Sequence, residues 1–176
     1  MTNSSSILDV ASKDPDRIVV GLDGSPSSIA ALRRGVKIAT ALNVPLQVVS
    51  AWRFPAVAGY LPPNYSPEED AEDELNAVID TVFEKGIPVP LVKTVCEGLP
   101  SQVLIEASKD AGMLIVDSRG HGGFAGLLLG SISSACAEYA SCPVLIMHEA
   151  GTPERSEDAI DASRSDALAA AAIQAR

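Results

Sequence analysis

The chain has 176 residues, a formal net charge of −10 and 4% aromatic residues. This length suits one domain with short tails, and a composition rich in small aliphatic residues is typical of parallel strands covered by helices. The acidic balance argues against a binder of nucleic acid or of anionic membranes, because no basic stripe neutralises phosphates. The apolar runs are shorter than the ~20 residues that span a bilayer, and residues 1–16 carry no signal-peptide pattern, so we expect a cytoplasmic protein.

The first half of the chain predicts two strands around one helix. Residues 1–16 are polar and are expected to be disordered. An apolar run predicts a buried strand over 18–22. Ser25 and Pro26 then form an N-cap followed by a proline at the first helical position, and apolar spacings of three and four predict a helix over 27–42, stopped by Asn43. A second buried strand is predicted over 46–52.

The second half repeats this alternation after a long proline-containing connection over 53–66. A capping box at Ser66 opens a helix that is predicted to run to Lys85 and to stop at Gly86. Residues 89–96 alternate in polarity and predict a strand near a sheet edge. A helix begins near Pro100, strands are predicted over 113–116 and 144–147, and a helix between them reaches Tyr139. The acidic, then alanine-rich residues 149–176 form a tail outside the core.

This order of elements predicts an α/β fold with a three-layer, doubly wound, five-stranded parallel sheet over residues 17–148. Ligands of such sheets lie beyond the carboxyl ends of the strands, where the strand order reverses. Asp23 follows the first strand and a glycine-rich segment follows the fourth. If these two strands are neighbours, both segments face one crevice of nucleotide size.

The glycine-rich segment, residues 117–131, reads D-S-R-G-H-G-G-F-A-G-L-L-L-G-S. Glycines between a strand and a helix let the backbone approach an anion, so that main-chain N–H groups and the positive end of the helix face it. The segment lacks the lysine of a P-loop, and no G-x-G-x-x-G follows the first strand. It predicts a phosphate cradle, with a surface loop as the alternative.

With these motifs the chain resembles the universal stress protein family. The resemblance covers most of 18–147, from I-V-V-G-L-D-G-S-P-S-S at its start to G-S-I-S-S-A-C-A-E-Y-A-S-C-P-V-L-I-M at its end. The nucleotide-binding branch of that family carries Gly, two residues, Gly, nine residues, Gly, and then Ser or Thr. Here Gly120 matches the second glycine, and Gly130 with Ser131 closes the pattern.

The resemblance implies the strand order 3-2-1-4-5, typical of adenine-nucleotide α-hydrolase-like folds, and homodimers in which the strands at 144–147 pair. It also implies bound ATP, with Mg²⁺ or Mn²⁺. Asp23 would contact the nucleoside, the Ala51 backbone the adenine edge, and the glycine segment the phosphates. The candidate cofactor-binding residues are Gly21, Asp23, Ala51, Asp117, Ser118, Gly120, Gly130, Ser131 and Ile132.

One residue departs from the family pattern, since Asp117 stands where the first glycine is expected. A carboxylate about 5 Å from a phosphate, at an effective dielectric of about 20, costs about 3 kcal/mol. Asp117 could turn toward Arg119 or a backbone donor, or a divalent cation could bridge it to the phosphates. Otherwise nucleotide binding is lost, and the chain acts as a nucleotide-free scaffold dimer through protein partners.

No catalytic constellation stands out, and no metal site of the protein's own is predicted. Slow ATP hydrolysis is the most chemistry we expect, although an enzyme of the wider α-hydrolase-like group stays an alternative. Asp23 could also be only a turn residue, and Ser131 only a helix cap. The three cysteines lack metal-ligand spacing and are interpreted as reduced thiols, with Cys142 the first candidate for a redox sensor.

Overall fold

The structure is a computed structural model that describes residues 14–54, 65–83, 86–118 and 129–148. Strands and helices alternate through these ranges as the sequence predicts. The predicted tail over 149–176 and most of the predicted tail over 1–16 lie outside the described residues. The elements are β1 (Ile18–Gly21), α1 (Pro26–Leu42), β2 (Leu46–Trp52), α2 (Pro67–Val82), β3 (Leu91–Glu97), α3 (Pro100–Ala107), β4 (Met113–Asp117), α4 (Ser131–Tyr139) and β5 (Val144–Met147).

The five strands form one parallel sheet in the order β3-β2-β1-β4-β5, which confirms the predicted fold class and strand order. One core cluster lies between the sheet and helices α1 and α2, and the other lies between the sheet and helices α3 and α4. β1 pairs with both β2 and β4, so the strand order reverses at β1. The crevice expected at that reversal therefore lies above the carboxyl ends of β1 and β4.

The boundaries of α1 follow directly from its sequence. Ser25 is the N-cap, and its side-chain oxygen accepts a hydrogen bond from Ser28 N at 3.1 Å, while Pro26 opens the helix. Asn43 ends it in the left-handed conformation, with a φ of 57°. Because an asparagine adopts this conformation more readily than most residues, the predicted stop is confirmed.

Several predicted boundaries are wrong by one to three residues. β1 ends at Gly21 and not at Leu22, and β3 spans Leu91–Glu97 and not 89–96. α2 ends at Val82 and not at Lys85, because the backbone of Phe83 is already non-helical and its carbonyl accepts a hydrogen bond from Gly86 N at 2.8 Å. Gly86 has a φ of +92°, so it serves a turn that follows the helix end. β4 includes Asp117, which pairs in register with Met147 and is therefore the last residue of the strand.

A buried arginine braces the opposite, amino-terminal edge of the sheet. Arg17 is 4% exposed and donates to the carbonyl oxygens of Ala107, Lys109 and Asp110, which follow or end α3. Its Nε also donates to Gln47 at 3.0 Å. A cation at the carboxyl end of a helix is favourable, and these bonds satisfy carbonyls that the helix leaves open. The brace fixes α3 against β1 and β2, far from the crevice.

Candidate functional site

The turn after β1 holds the first carboxylate of the crevice. Asp23 is exposed, and its Oδ1 accepts hydrogen bonds from Ser25 N at 3.1 Å and from Ser25 Oγ at 2.6 Å. Gly24, between them, has a φ of +76°. Such a side chain bonded to the backbone two residues later is an Asx turn, which explains Asp-Gly-Ser at this place. Asp23 is therefore both a turn residue and a carboxylate presented at the ligand-binding edge.

Two serines connect this turn to the end of β4. The hydroxyl oxygens of Ser25 and Ser27 lie 3.1 Å apart, and Ser27 Oγ donates to Asp117 Oδ2 at 3.0 Å. Each hydroxyl gives its one proton to a carboxylate, Ser25 to Asp23 and Ser27 to Asp117, so the two bonded pairs lie side by side across the reversal point. The predicted neighbouring of β1 and β4 is confirmed, and the turn after β1 contacts the last residue of β4. Ser27 is a partner of Asp117 that the sequence did not suggest, while Arg119 lies outside the described residues.

The start and end of the glycine segment are held together. Ser118 is 2% exposed; its N–H donates to Met147 O at 2.7 Å, and its carbonyl accepts from Gly130 N at 2.7 Å. Ser133 Oγ donates to the carbonyls of Ser118 at 3.0 Å and of Gly130 at 3.1 Å. Residues 119–128, which include Gly120, lie outside the described residues. Ser118 contributes through its main chain, because its N–H and its carbonyl hold the two ends of the glycine segment together.

The amino end of α4 opens next to this base. Gly130 is its N-cap, with φ −74° and ψ 167°, and no side chain caps the helix. Ser131 is exposed and Ile132 is half-buried, both within the first turn. Ser131 is thus the first helical residue and not the cap, so the interpretation of Ser131 as a helix cap is wrong. The first-turn N–H groups carry the positive end of the helix dipole, which suits an anion.

Gly21 and Ala51 mark the ends of β1 and β2. Gly21 is buried, and a Cβ added there would lie 3.0 Å from Leu104 Cδ1, so close packing of α3 accounts for the glycine. Ala51 is half-buried and pairs in register with Cys96. Its main chain therefore lies one residue before the carboxyl end of β2, beside the crevice.

The sequence analysis missed two residues near these elements. The exposed Glu74 of α2 sends its carboxylate over the β1 turn, where it would collide with a Cβ on Gly24. Trp52 ends β2, and its ring makes an edge-to-face contact with Phe54, with centroids 5.3 Å apart. The helical periodicity of α2 could have shown which face of the helix carries Glu74. No local pattern could have shown that this face lies over a turn fifty residues earlier in the chain.

The described residues contain neither a metal-binding cluster nor a helix that could span a membrane. Within 14–54, 65–83, 86–118 and 129–148, no three side chains of His, Cys, Asp or Glu come together in a way that could hold a metal ion. None of the helices in these ranges is both long and apolar enough to cross a bilayer. The carboxylates of Asp23 and Asp117 each accept a hydrogen bond from a serine hydroxyl, so this edge of the sheet is rich in acceptors and acidic.

The comparison with protein families settles the class of the chain. The model of the universal stress protein family matches residues 15–148, which cover all nine elements of the described fold. The chain belongs to the universal stress protein family. A universal stress protein of Mycobacterium tuberculosis, Rv2624c, is 36% identical over 136 residues, covering 74% of this chain and 47% of the relative. The chain spans about half the length of the curated relatives it matches.

Solved universal stress proteins share the fold. One in complex with cAMP has 27% identity and a TM-score of 0.60, covering 76% of this chain and 97% of that one. The UspA protein of Lactobacillus plantarum has 19% identity and a TM-score of 0.61, with coverages of 75% and 97%. A family protein from Arabidopsis thaliana with AMP bound has 18% identity and a TM-score of 0.56, with coverages of 82% and 99%.

Proposed function

We propose that this universal stress protein is an ATP-binding regulatory module of the stress response and that it works in the cytoplasm as a homodimer. The observation that carries the proposal is that the β1 turn and the end of β4 lie side by side, with Ser25 bonded to Asp23 and Ser27 bonded to Asp117. The cAMP complex of a 27% identical family member supports an adenine nucleotide as the ligand.

The described residues fit a nucleotide laid across the sheet edge. The uncapped first turn of α4 offers main-chain N–H groups for phosphate oxygens, and the exposed Ser131 adds a hydroxyl. Asp23 would hold the nucleoside, and the main chain at Ala51 would face the adenine. Asp117 opposes the phosphates by its charge, but its bond from Ser27 already partly satisfies the carboxylate. Mg²⁺ or Mn²⁺ would enter with the phosphates and reduce the repulsion.

Asp117 also favours a second candidate function, that of a nucleotide-free scaffold dimer acting through protein partners. The carboxylate is held at the reversal point by Ser27, at the place where the family pattern expects glycine. If its repulsion outweighs the donors of α4, the crevice binds no nucleotide. For the ATP-binding module we propose no turnover beyond slow ATP hydrolysis, because the described residues offer donors and acceptors but no base beside a reacting group; for the scaffold we propose no turnover.

A pair of substitutions at Gly130 tests nucleotide binding. Its φ of −74° is one that any residue adopts, and both Asp and Asn are good N-caps. Gly130→Asp places a negative charge at the phosphate position, whereas Gly130→Asn places a neutral group of the same shape there. Adding Mg-ATP should raise the melting temperature of the parent, raise that of Gly130→Asn by less, and leave that of Gly130→Asp unchanged. No rise for the parent at millimolar Mg-ATP would reject ATP binding and favour the scaffold.

A further inference from the structure

Helix α1 carries a basic surface that the described residues leave without an acidic partner. Arg33, Arg34 and Lys37 are exposed. The helix itself contains no acidic residue, and within the ranges that the structure describes none of the three cations forms an ion pair. Such a cluster stands apart in a chain whose net charge is −10. The outer surface of α1 therefore suits a partner that carries carboxylates.

Ser27 identifies the flank of α1 that faces β4 and β5. Its hydroxyl donates to Asp117, the last residue of β4. The residues seven and eleven positions later lie on nearly the same side of an α-helix, and these residues are Arg34 and Ile38. Arg33 lies about 100° from Arg34 around the helix axis. Of these two arginines, Arg34 is therefore the one on the flank toward β5, and Arg33 is on the side away from β4.

β5 provides an apolar floor beside this flank. Leu145 and Met147 are half-buried and pack against the core cluster on the side of the sheet that carries α1 and α2. Val144 and Ile146 pack against the other cluster, beneath α3 and α4. On the first side α1 contacts β5, while α2 lies over β2 and β3 at the far edge of the sheet. A groove therefore runs between the Arg34 flank of α1 and the exposed parts of Leu145 and Met147.

The residues that follow β5 have the chemistry to fill this groove. Residues 149–161 contain five carboxylates, one arginine and one large apolar side chain, which belong to Glu149, Glu154, Glu157, Asp158, Asp161, Arg155 and Ile160. They follow His148 directly, so they start at the carboxyl end of β5, which is one end of the groove. Their charge is opposite to that of α1, and Ile160 matches the apolar floor.

The chain length before the acidic cluster is also sufficient. Met147 pairs with Asp117, the partner of Ser27, so the amino end of α1 and the carboxyl end of β5 lie at the same level of the sheet. Arg34 is about 10 Å along α1 from that level. Residues 149–153 span up to about 17 Å when extended, so the acidic residues after them reach Arg34.

We propose that residues 154–161 dock in the groove between α1 and β5 of their own chain. Their carboxylates face Arg34 and Lys37, and Ile160 covers the half-buried side chains of β5. Exposed ion pairs alone contribute little, so the contact needs the apolar burial as well as the charges. Attachment to β5 gives the segment a high effective concentration at the groove. A second copy has no such advantage, and two chains of net charge −10 repel each other.

NMR of the 176-residue chain, labelled with ¹³C at the methyl groups of its three methionines, tests the proposal, because Met147 lies in the groove. Ile160→Ser should shift the Met147 methyl signal, whereas Ile173→Ser, the same substitution outside the docked segment, should not. Arg34→Glu should shift the signal in the same direction, whereas Arg33→Glu, on the other flank of α1, should leave it in place. Raising the salt concentration from about 0.1 M to about 1 M should move the parent signal toward that of Ile160→Ser, because the charges are screened.

Three results would overturn the proposal. The first is a Met147 signal that responds to neither Ile160→Ser nor Arg34→Glu. The second is a response to Arg34→Glu without one to Ile160→Ser, since the groove would then hold something other than this segment. The third is a response to both that grows with protein concentration, which would mean that the segment docks on a second copy. If Arg34→Glu does not fold, Ile160→Ser still decides, because its position lies outside the nine elements of the fold.

Discussion

The hydroxyl of Ser27 donates a 3.0 Å hydrogen bond to a carboxylate oxygen of Asp117, and so joins the first turn of α1 to the last residue of β4. Asp117 is half-buried, and the same hydroxyl lies 3.1 Å from that of Ser25. The carboxylate is thus held toward the first turn of α1. We expect its charge, rather than its size, to be the main obstacle to a phosphate group.

This orientation predicts that two substitutions of Asp117 act in the same direction. Asp117→Asn keeps an oxygen that accepts the hydrogen bond from Ser27 and removes the charge. Mg-ATP should therefore bind at least about tenfold more tightly to this variant than to the parent, and the gain should be smaller at high salt. Asp117→Gly restores the family residue and should give a gain of similar size. Calorimetric titration at two salt concentrations measures both.

The two variants separate charge from shape. A gain for Asp117→Gly but none for Asp117→Asn would mean that the side chain blocks the phosphates sterically. Equal affinity of both variants and the parent would show that Asp117 does not influence the ligand. ATP binding by the variants alone would favour the scaffold function for the natural chain.

The hydrogen bond between Ser25 and Asp23 predicts that these two side chains contribute jointly to the free energy of unfolding, which an ordinary helix cap does not. Ser25→Ala removes the N-cap of α1, which costs about 1 kcal/mol, and also the hydroxyl bonded to Asp23. Ser66→Ala removes only the cap of α2, where Ser66 accepts from Glu69 N at 3.3 Å. We expect Ser25→Ala to lower the free energy of unfolding by about 1 kcal/mol more than Ser66→Ala in urea titrations.

A double-mutant cycle checks the origin of that difference. In the background of Asp23→Ala, the additional cost of Ser25→Ala should fall to that of a lost cap, because the carboxylate partner is gone. An unchanged cost in this background would contradict a stabilising link between the two side chains. Nucleotide affinity of the same variants then reports whether the Asx turn positions Asp23 for a ligand.

The exposed edge of β5 predicts how two copies of the chain associate. Leu114 N donates to Pro143 O and Ser118 N donates to Met147 O, so alternate residues of β5 face β4. The peptide groups of Val144 and Ile146 therefore point away from the sheet and are available to a second β5. Ile146→Pro removes one outward N–H, and an edge strand tolerates proline there. Light scattering at micromolar concentration should show a dimer for the parent and a monomer for Ile146→Pro.

A matched substitution controls for packing at this edge. Ile146 also packs against the core cluster of α3 and α4. Ile146→Thr keeps a β-branched side chain and the outward N–H, and it should remain dimeric. A monomeric parent, or a dimeric Ile146→Pro, would place the interface elsewhere.

Local sequence patterns predicted the fold well, because its elements depend on nearby residues. Apolar runs and their flanking caps located β2 and β5 without error, and Asn43 correctly ended α1. The boundaries that failed lie where a backbone turn decides, as at Phe83, or where a polar residue completes a strand, as at Asp117. Propensity favours helix continuation at Phe83 and a loop at Asp117; a local turn overrides the first, and pairing with β5 overrides the second.

The candidate site was predicted only in part, because its decisive contacts join distant segments. The spacing that ends in Gly130 and Ser131 located the α4 amino end, and the turn pattern located Asp23. The pairing of Ser27 with Asp117 spans 90 positions, and the approach of the Glu74 carboxylate to Gly24 joins α2 to a turn near the start of the chain. No local periodicity carries either signal, so both required three-dimensional structure.

The buried thiol of Cys136 predicts a loss of stability at alkaline pH. Cys136 is 0% exposed, and burial raises its pKa from 9.0 to about 11. The folded protein therefore keeps a proton that the unfolded chain releases, so this contribution is fully present below pH 9 and is lost as the pH rises from 9 to 11. Cys136→Ala should be less stable at pH 7.5, and its deficit should shrink by about 1 kcal/mol at pH 10.

Urea unfolding of the parent and Cys136→Ala at both pH values measures this change. Burial also raises the pKa values of Cys96 and Cys142. Both proteins contain these two thiols, so their contributions to the pH dependence cancel in the difference between parent and variant. A deficit that stays constant between pH 7.5 and pH 10 would contradict a raised pKa at Cys136. The redox alternative named Cys142 first, and burial raises the pKa of that thiol as well, which makes it a poorer nucleophile at neutral pH. We therefore expect Cys136 to resist thiol reagents in the folded protein and to react only on unfolding.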